Sequence, residues 1–190
     1  MKRKKAFTLV EVLIVLSIMG VIMSLLLGAV LKARGKVKLS KVHVLMDSIS
    51  AALRMYADDF GDYPPDNSLL NLSNPSSAEC LYYYLGATFI RGRNSSVNAG
   101  PYMRFKGEEL RAVADKSSCD FDGDGFGDDP TKEIIDPWEN KTSQNPDGKQ
   151  ILIYHKIPTH NPSLNKFELY SIGPNGVNDN GSGDDVTNWS

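Results

Sequence analysis

Cysteine and histidine are both scarce in this 190-residue chain, two and three residues respectively. Two cysteines cannot build a disulfide-dense scaffold. The chain also lacks a G-x-S-x-G, H-E-x-x-H, C-x-x-C, P-loop or dinucleotide fingerprint. The histidines are scattered: His43 falls in a helical pattern and His155 among alternating isoleucines, places that suit packing or surface roles better than catalysis, and His160 lies in a loop. Repeats and low-complexity linkers are absent too. A positive balance is missing from most of the sequence: residues 42–190 hold twelve basic and twenty-two acidic side chains, a net −10, whereas residues 1–41 hold nine basics and one acid, a net +8. An acidic globular part argues against nucleic-acid binding. A hydrophobic content of 41% argues against a disordered chain. What remains is one ordinary domain with an extra element in different surroundings.

That extra element is an apolar run. Residues 12–31, VLIVLSIMGVIMSLLLGAVL, are uncharged; as a helix they would span about 30 Å, the hydrocarbon thickness of a bilayer. A soluble cytosolic enzyme is disfavoured accordingly. Lys2, Arg3, Lys4 and Lys5 precede the run, so the positive-inside rule gives a single span with its N-terminus in the cytoplasm and the acidic remainder outside. Three readings are open: a cleaved secretory signal, a plain anchor, or a membrane helix with a further role. Glu11 separates them. A carboxylate in such a segment costs about 2.5–3.5 kcal/mol near the bilayer centre unless paired, and a secretory signal has no use for it. The run also exceeds the about 7–15 apolar residues of a signal, and the only small-residue cleavage candidate, near Ala29, is weak. A tolerated Glu that snorkels to water is the bland alternative.

Beyond Leu31, a basic stretch (Lys32, Arg34, Lys36, Lys38, Lys41) leads into apolar residues at helical spacing: Val42, Leu45, Met46, Ile49, Leu53, Tyr56, Ala57 and Phe60. The pattern predicts one long helix from about Phe7 to about Phe60, with bending or melting at Gly20, Gly28 and Gly35 and a stop at Gly61, Asp62, Tyr63, Pro64 and Pro65. Ser76 or Ser77 caps a short helix through Leu85, ended by Gly86. Residues 91–101 read as loop, and Tyr102–Ala114 is ambiguous between strand and helix. Ile151, Ile153 and Ile157 mark one strand, and Phe167, Leu169 and Ser171 another, joined by a loop with His160, Asn161 and Pro162. The expected class is α+β, a long helix packed on a small antiparallel sheet. Trp138 reads as core. Cys80 and Cys119 either form a disulfide, worth about 2–4 kcal/mol, or stay as two buried thiols; the sequence leaves both open.

Residues 120–129, DFDGDGFGDD, carry five acids in ten positions, which repel one another without a cation. Asp120, Asp122, Asp124 and Asp128, with Gly125 and the Phe126 carbonyl, match the first nine positions of an EF-hand-like calcium loop. The twelfth position is Thr131 rather than Glu, with Asp129 and Glu133 as the nearest substitutes, and strong flanking helices are missing. An isolated or dockerin-like Ca²⁺ loop is expected, a solvated acidic turn being the alternative.

The segment KKAFTLVEVLIVLSIMG resembles the processing signal of type IV pilins and type II secretion pseudopilins. The resemblance implies a prepilin peptidase that cuts on the cytoplasmic side between Ala6 and Phe7 and N-methylation of the new amino group; Ala6 stands where Gly is usual. It also implies a leader at 1–6, a transmembrane assembly helix at 7–31, its amphipathic continuation at 32–60 and a periplasmic head at 61–190. Glu11 would pair with the α-amino group of Phe7, within a subunit or between neighbours, offsetting desolvation and setting axial register.

FGDYPP resembles the turn that ends the long helix in pseudopilins. IIDPWENK, FELYSIGPNG and GSGDDVTNW resemble the carboxy-terminal half of the major pseudopilin of type II secretion, where a calcium ion ties the loop. Carried over, its ligands would be the Ile172 carbonyl, the Asn175 side chain, the Ser182 carbonyl, Asp184 and Asp185. Asn175 stands where Asp is usual, and the spacing to Asp184 is long for the family. A Gly- and Asn-rich loop pinned by Trp189 is the alternative. The resemblance thus implies a non-enzymatic inner-membrane subunit that polymerises with itself and minor pseudopilins on an inner-membrane assembly platform driven by a cytoplasmic ATPase. Its rivals are a type IV pilin or competence pseudopilin and, more remotely, a membrane-anchored calcium-binding or hydrolytic domain.

Overall fold

A computed structural model describes residues 8–66, 76–87, 89–90, 98–112, 132–139, 148–164 and 166–189. The chain divides into two compact units, Met1–Ser40 and Lys41–Ser190. The first helix, α1, runs from Leu9 to Phe60 and so contributes to both.

In the first unit the helix is long and apolar enough to cross a membrane, with mean hydropathy 2.7 over its most apolar window and none of that window buried. Of the bending or melting expected at Gly20, Gly28 and Gly35, the melting does not occur: the helix continues through all three. Each glycine costs only about 1 kcal/mol relative to alanine, less than opening a turn and orphaning its backbone groups among apolar neighbours. The two serines of the run hide their hydroxyls by donating back to the turn above, Ser17 Oγ to the Leu13 carbonyl and Ser24 Oγ to Val21, both at 2.8 Å.

In the second unit the predicted stripe is buried from Val42 to Leu53: Val42, Leu45, Met46, Ile49 and Leu53 are all under a tenth exposed, joined by Ala52, whereas Tyr56 and Ala57 are half-buried and Phe60 is 38% exposed. The buried residues pack with Ala78, Leu81 and Leu85 of the second helix, α2 (Ser77–Gly86), with Ile134, Tyr154 and Leu169 from the strands, and with Leu152 between two of them. Replacing Ile49 with Ala should cost about 2–5 kcal/mol through lost burial and a residual cavity, measurable as a lowered denaturant midpoint of the full chain in detergent. Of the two candidate caps for α2 it is Ser76 that serves. Its Oγ accepts from Glu79 N at 3.2 Å while Glu79 Oε2 accepts from Ser76 N at 2.6 Å, a complete capping box.

The strands form three small antiparallel sheets among the described residues, where one was expected. β1 (Phe89–Ile90) pairs with β2 (Asn98–Ala99). β3 (Leu110–Ala112), β4 (Lys132–Glu139) and β5 (Lys149–Ile151) form the second sheet in that order. β6 (Ile153–His155), β7 (Glu168–Ser171) and β8 (Val186–Thr187) form the third. The single strand expected over Ile151–Ile157 is thus two, because the chain changes sheets at Leu152, a buried residue whose N–H reaches the Ile134 carbonyl at 3.3 Å. Ile157 lies beyond the pairing and is 63% exposed. Within the ambiguous stretch 102–114, the described residues 102–112 hold a 3₁₀ turn, Gly107–Glu109, followed by β3; residues 113–114 lie outside the described residues. Pro137 is accommodated inside β4 because the register with β5 shifts between Ile135 and Glu139, the irregularity at which a strand tolerates a missing N–H.

Glu133, one candidate for completing the acidic loop at 120–131, is committed elsewhere. It is buried on β4, paired with Arg111 and bonded by Ser76 Oγ at 3.2 Å, while Arg111 also reaches the Lys149 carbonyl at 3.0 Å. This network ties α2 to the second sheet. Cys80 is buried on α2; Cys119 lies outside the described residues.

Candidate functional site

Ala6 and Phe7 lie outside the described residues, but the start of the helix just after them is defined. Thr8 N and Thr8 Oγ1 donate to Glu11 Oε2 at 2.9 and 2.8 Å, and Glu11 N donates to Thr8 Oγ1 at 3.3 Å. The reciprocal pattern is a capping box. Its signal, T-x-x-E, stands in the sequence as TLVE, overlapping the acid whose charge dominates the segment. The box uses part of the carboxylate only: two oxygens offer about four acceptor sites, so a cation can still be taken on.

The carboxy-terminal loop between β7 and β8 gathers acids. Asp179, Asp184 and Asp185 each place one carboxylate oxygen within 4.8 Å of the others. The backbone sets this up. Gly173 turns at φ +67°, and a Cβ there would stand 2.2 Å from the Asp184 carbonyl oxygen. Gly183 turns at φ +65°, where a Cβ would stand 2.7 Å from Asp179 Oδ2. The left-handed backbone favours glycine at both places, and at Gly173 the backbone carbonyl of Asp184 leaves no room for a Cβ. Asp184 Oδ2 accepts from Asn175 N at 2.9 Å. Asp185 Oδ2 accepts from Asp179 N at 3.1 Å and Gly181 N at 2.8 Å. Its other oxygen, Oδ1, is buried with no hydrogen-bond partner. Burial pushes the Asp185 carboxyl above its ordinary range and the Asp179 and Asp184 carboxylates push the same way, against the two N–H donors.

The predicted ligands are therefore distributed as follows. Asp184 and Asp185 belong to the cluster. Ile172 is buried at the end of β7, and the Ser182 carbonyl accepts from Asp185 N at 3.0 Å. Asn175 turns its Oδ1 to Val177 N at 2.6 Å and its Nδ2 toward Asp179 Oδ2 at 3.4 Å. Asp179 is the residue that sequence reasoning missed; the signal was the extra length between Asn175 and Asp184, which carries it. Three carboxylates, one with an orphaned buried oxygen, suit a hard divalent cation that takes oxygen ligands. Asp120, Asp122, Asp124, Phe126 and Asp128 lie outside the described residues.

Gly173→Ala should destabilise the head by about 1–3 kcal/mol from the left-handed backbone alone, with the clash on Asp184 adding to it. Thermal unfolding in chelator would read the loss.

Residues 1–27 match the family model of the prokaryotic N-terminal methylation motif. With the long apolar helix and the small antiparallel sheets that follow it, the match supports the type IV pilin-like superfamily and fits a membrane-anchored, prepilin-processed subunit of α+β fold. No curated protein and no solved structure matches the chain.

Proposed function

We propose that this chain is a pseudopilin, a structural subunit that polymerises through its membrane helix into the periplasmic fibre of a type II secretion system. The observation that carries the reading is the methylation motif over residues 1–27 with Glu11 as the sole acid of the first forty-one residues. Prepilin peptidase removes residues 1–6 on the cytoplasmic side, and the methylated amino group of Phe7 becomes the partner of Glu11. The helix crosses the inner membrane once, with the head in the periplasm. No catalytic step belongs to it; it works by helix-to-helix packing on an assembly platform, together with minor pseudopilins. The carboxylates of Asp179, Asp184 and Asp185 bind Ca²⁺, which neutralises their repulsion and fixes the β7–β8 loop. The loop at 120–129 is a second calcium candidate by sequence.

The pilin and competence-pseudopilin readings share the N-terminal motif, and what favours secretion over them is the IIDPWENK and GDDVTNW pattern. Two measurements test the proposal. Mass spectrometry of protein from membranes should find an N-methylated Phe7 terminus; an intact Met1 or a terminus near Val30 would remove the whole class. Deletion of the gene should abolish export of folded enzymes while sparing surface pili and DNA uptake, and the reverse phenotype would assign the chain to the rival systems.

A further inference from the structure

A second cluster of potential ligands sits apart from the acidic loop, on the third sheet. His155 and Glu168 are directly opposed partners in the β6–β7 pairing. The connection between the strands folds back over them, so that His160 and Asn161 donate their backbone N–H groups to Glu168 Oε1. Glu168 is fully buried beneath this connection, which explains why all four residues of β7 are buried instead of alternating. Its second oxygen, Oε2, meets His160 Nδ1 at 3.0 Å and Thr159 Oγ1 at 3.3 Å. The rings of His155 and His160 stand 5.5 Å apart, and both lie against Tyr170, at 6.1 and 5.7 Å. One ligand atom from each of His155, His160 and Glu168 comes within 4.8 Å of the others, and His160 opens to solvent.

We propose that His155, His160 and Glu168 bind a late first-row divalent cation, for which Zn²⁺ is the probe, through one nitrogen of each imidazole and Glu168 Oε2. Two imidazoles and a carboxylate are the donor set such cations favour, and the opposite of the all-oxygen loop at 179–185. The fourth, outward position is left for water. An N···O separation of 3.0 Å is what two metal–ligand bonds of about 2.0–2.1 Å span when they meet at somewhat more than a right angle. The cation therefore replaces the proton shared between His160 Nδ1 and Glu168, and that proton passes to solvent. Part of the supporting shell is already in place: two backbone N–H groups hold the far oxygen of the carboxylate, the kind of outer hydrogen bond that sets ligand orientation, and the Tyr170 ring packs against both imidazoles. Bound metal would staple the β6–β7 connection onto the sheet.

The test is calorimetric titration of the full chain in detergent with ZnCl₂ at pH 7.5, with Ca²⁺ in excess to occupy oxygen-only sites. One equivalent of Zn²⁺ should bind and raise the melting temperature, and His160→Gln or His155→Gln should weaken binding tenfold or more. Asp184→Asn should leave it unchanged. The substitution that decides is His160→Gln, because His160 is exposed and its loss leaves the buried Glu168 in place. Absence of saturable Zn²⁺ binding by the unmodified chain, binding that survives both histidine substitutions, or binding lost with Asp184→Asn would each overturn the proposal.

Discussion

Fibre assembly should be abolished by Glu11→Gln as completely as by Glu11→Val, with removal of residues 1–6 continuing in both. The pair of substitutions separates two roles for one carboxylate. Glu11 closes a capping box with Thr8, and Gln at the same position keeps that box because its carbonyl oxygen accepts the same N–H. What Gln cannot do is neutralise the ammonium group of a processed Phe7 in a medium where an unpaired charge costs several kcal/mol. If Glu11→Gln assembled as well as the unmodified chain while Glu11→Val did not, capping alone would be the function of the residue and charge pairing would be wrong. Crosslinking of subunits in membranes, scored alongside mass spectrometry of the N-terminus, reads both outcomes.

Calcium should raise the melting temperature of the full chain in detergent, and a chelator should reverse the effect. At a hundredfold excess over the dissociation constant, the linkage gain is about 2.7 kcal/mol, which corresponds to about 5–10 °C for a chain of this size. Asp185→Asn should erase the response. Its carbonyl oxygen can still accept from Asp179 N and Gly181 N, while its amide group would face the Asp179 and Asp184 carboxylates and relieve the repulsion. The variant should therefore melt no lower than the unmodified chain in chelator. Asp179→Asn should weaken the response; an undiminished response would remove Asp179 from the ligand set. A response that survives Asp185→Asn and vanishes with Asp122→Asn and Asp124→Asn would move the site to residues 120–129.

Acidification in chelator supplies an independent check. The Asp185 carboxyl is raised above its ordinary 3.8, so the folded chain holds this proton more tightly than the unfolded one. The contribution of this group to stability therefore grows as pH falls through the folded-state value, and levels off below the ordinary one. Saturating calcium should flatten that dependence, since the cation takes the place of the proton.

How much of this was legible in the sequence follows from which signals are local. The long helix was, because its stripe from Val42 to Leu53 repeats at the helical period and burial follows that stripe. So was the cap of α2, a choice between adjacent serines. The sheets were not. Ile151, Ile153 and Ile157 alternate as one strand would, yet Leu152 is the point at which the chain leaves one partner for another, and partner choice is tertiary. The clusters divide along the same line. Asp184 and Asp185 were found through a linear resemblance, whereas Asp179 joins them only when the turns at Gly173 and Gly183 close the loop. His155, His160 and Glu168 come from a strand, a loop and the opposing strand, and no linear spacing advertises them.

The pairing of β8 with β7 has a consequence for the order in which the head matures. Asn188 bonds Leu169 in both directions, its N–H to the Leu169 carbonyl at 3.0 Å and its Oδ1 from Leu169 N at 3.1 Å, and Trp189 lies so close to Gly181 that a Cβ there would stand 2.3 Å from its ring. A chain that keeps its amino end in the cytoplasm passes Asn188 and Trp189 across the bilayer after the other described strands, β1 to β7. The acidic loop between β7 and β8 is thus closed last, and cation binding at the proposed site would report that the rest of the head has folded.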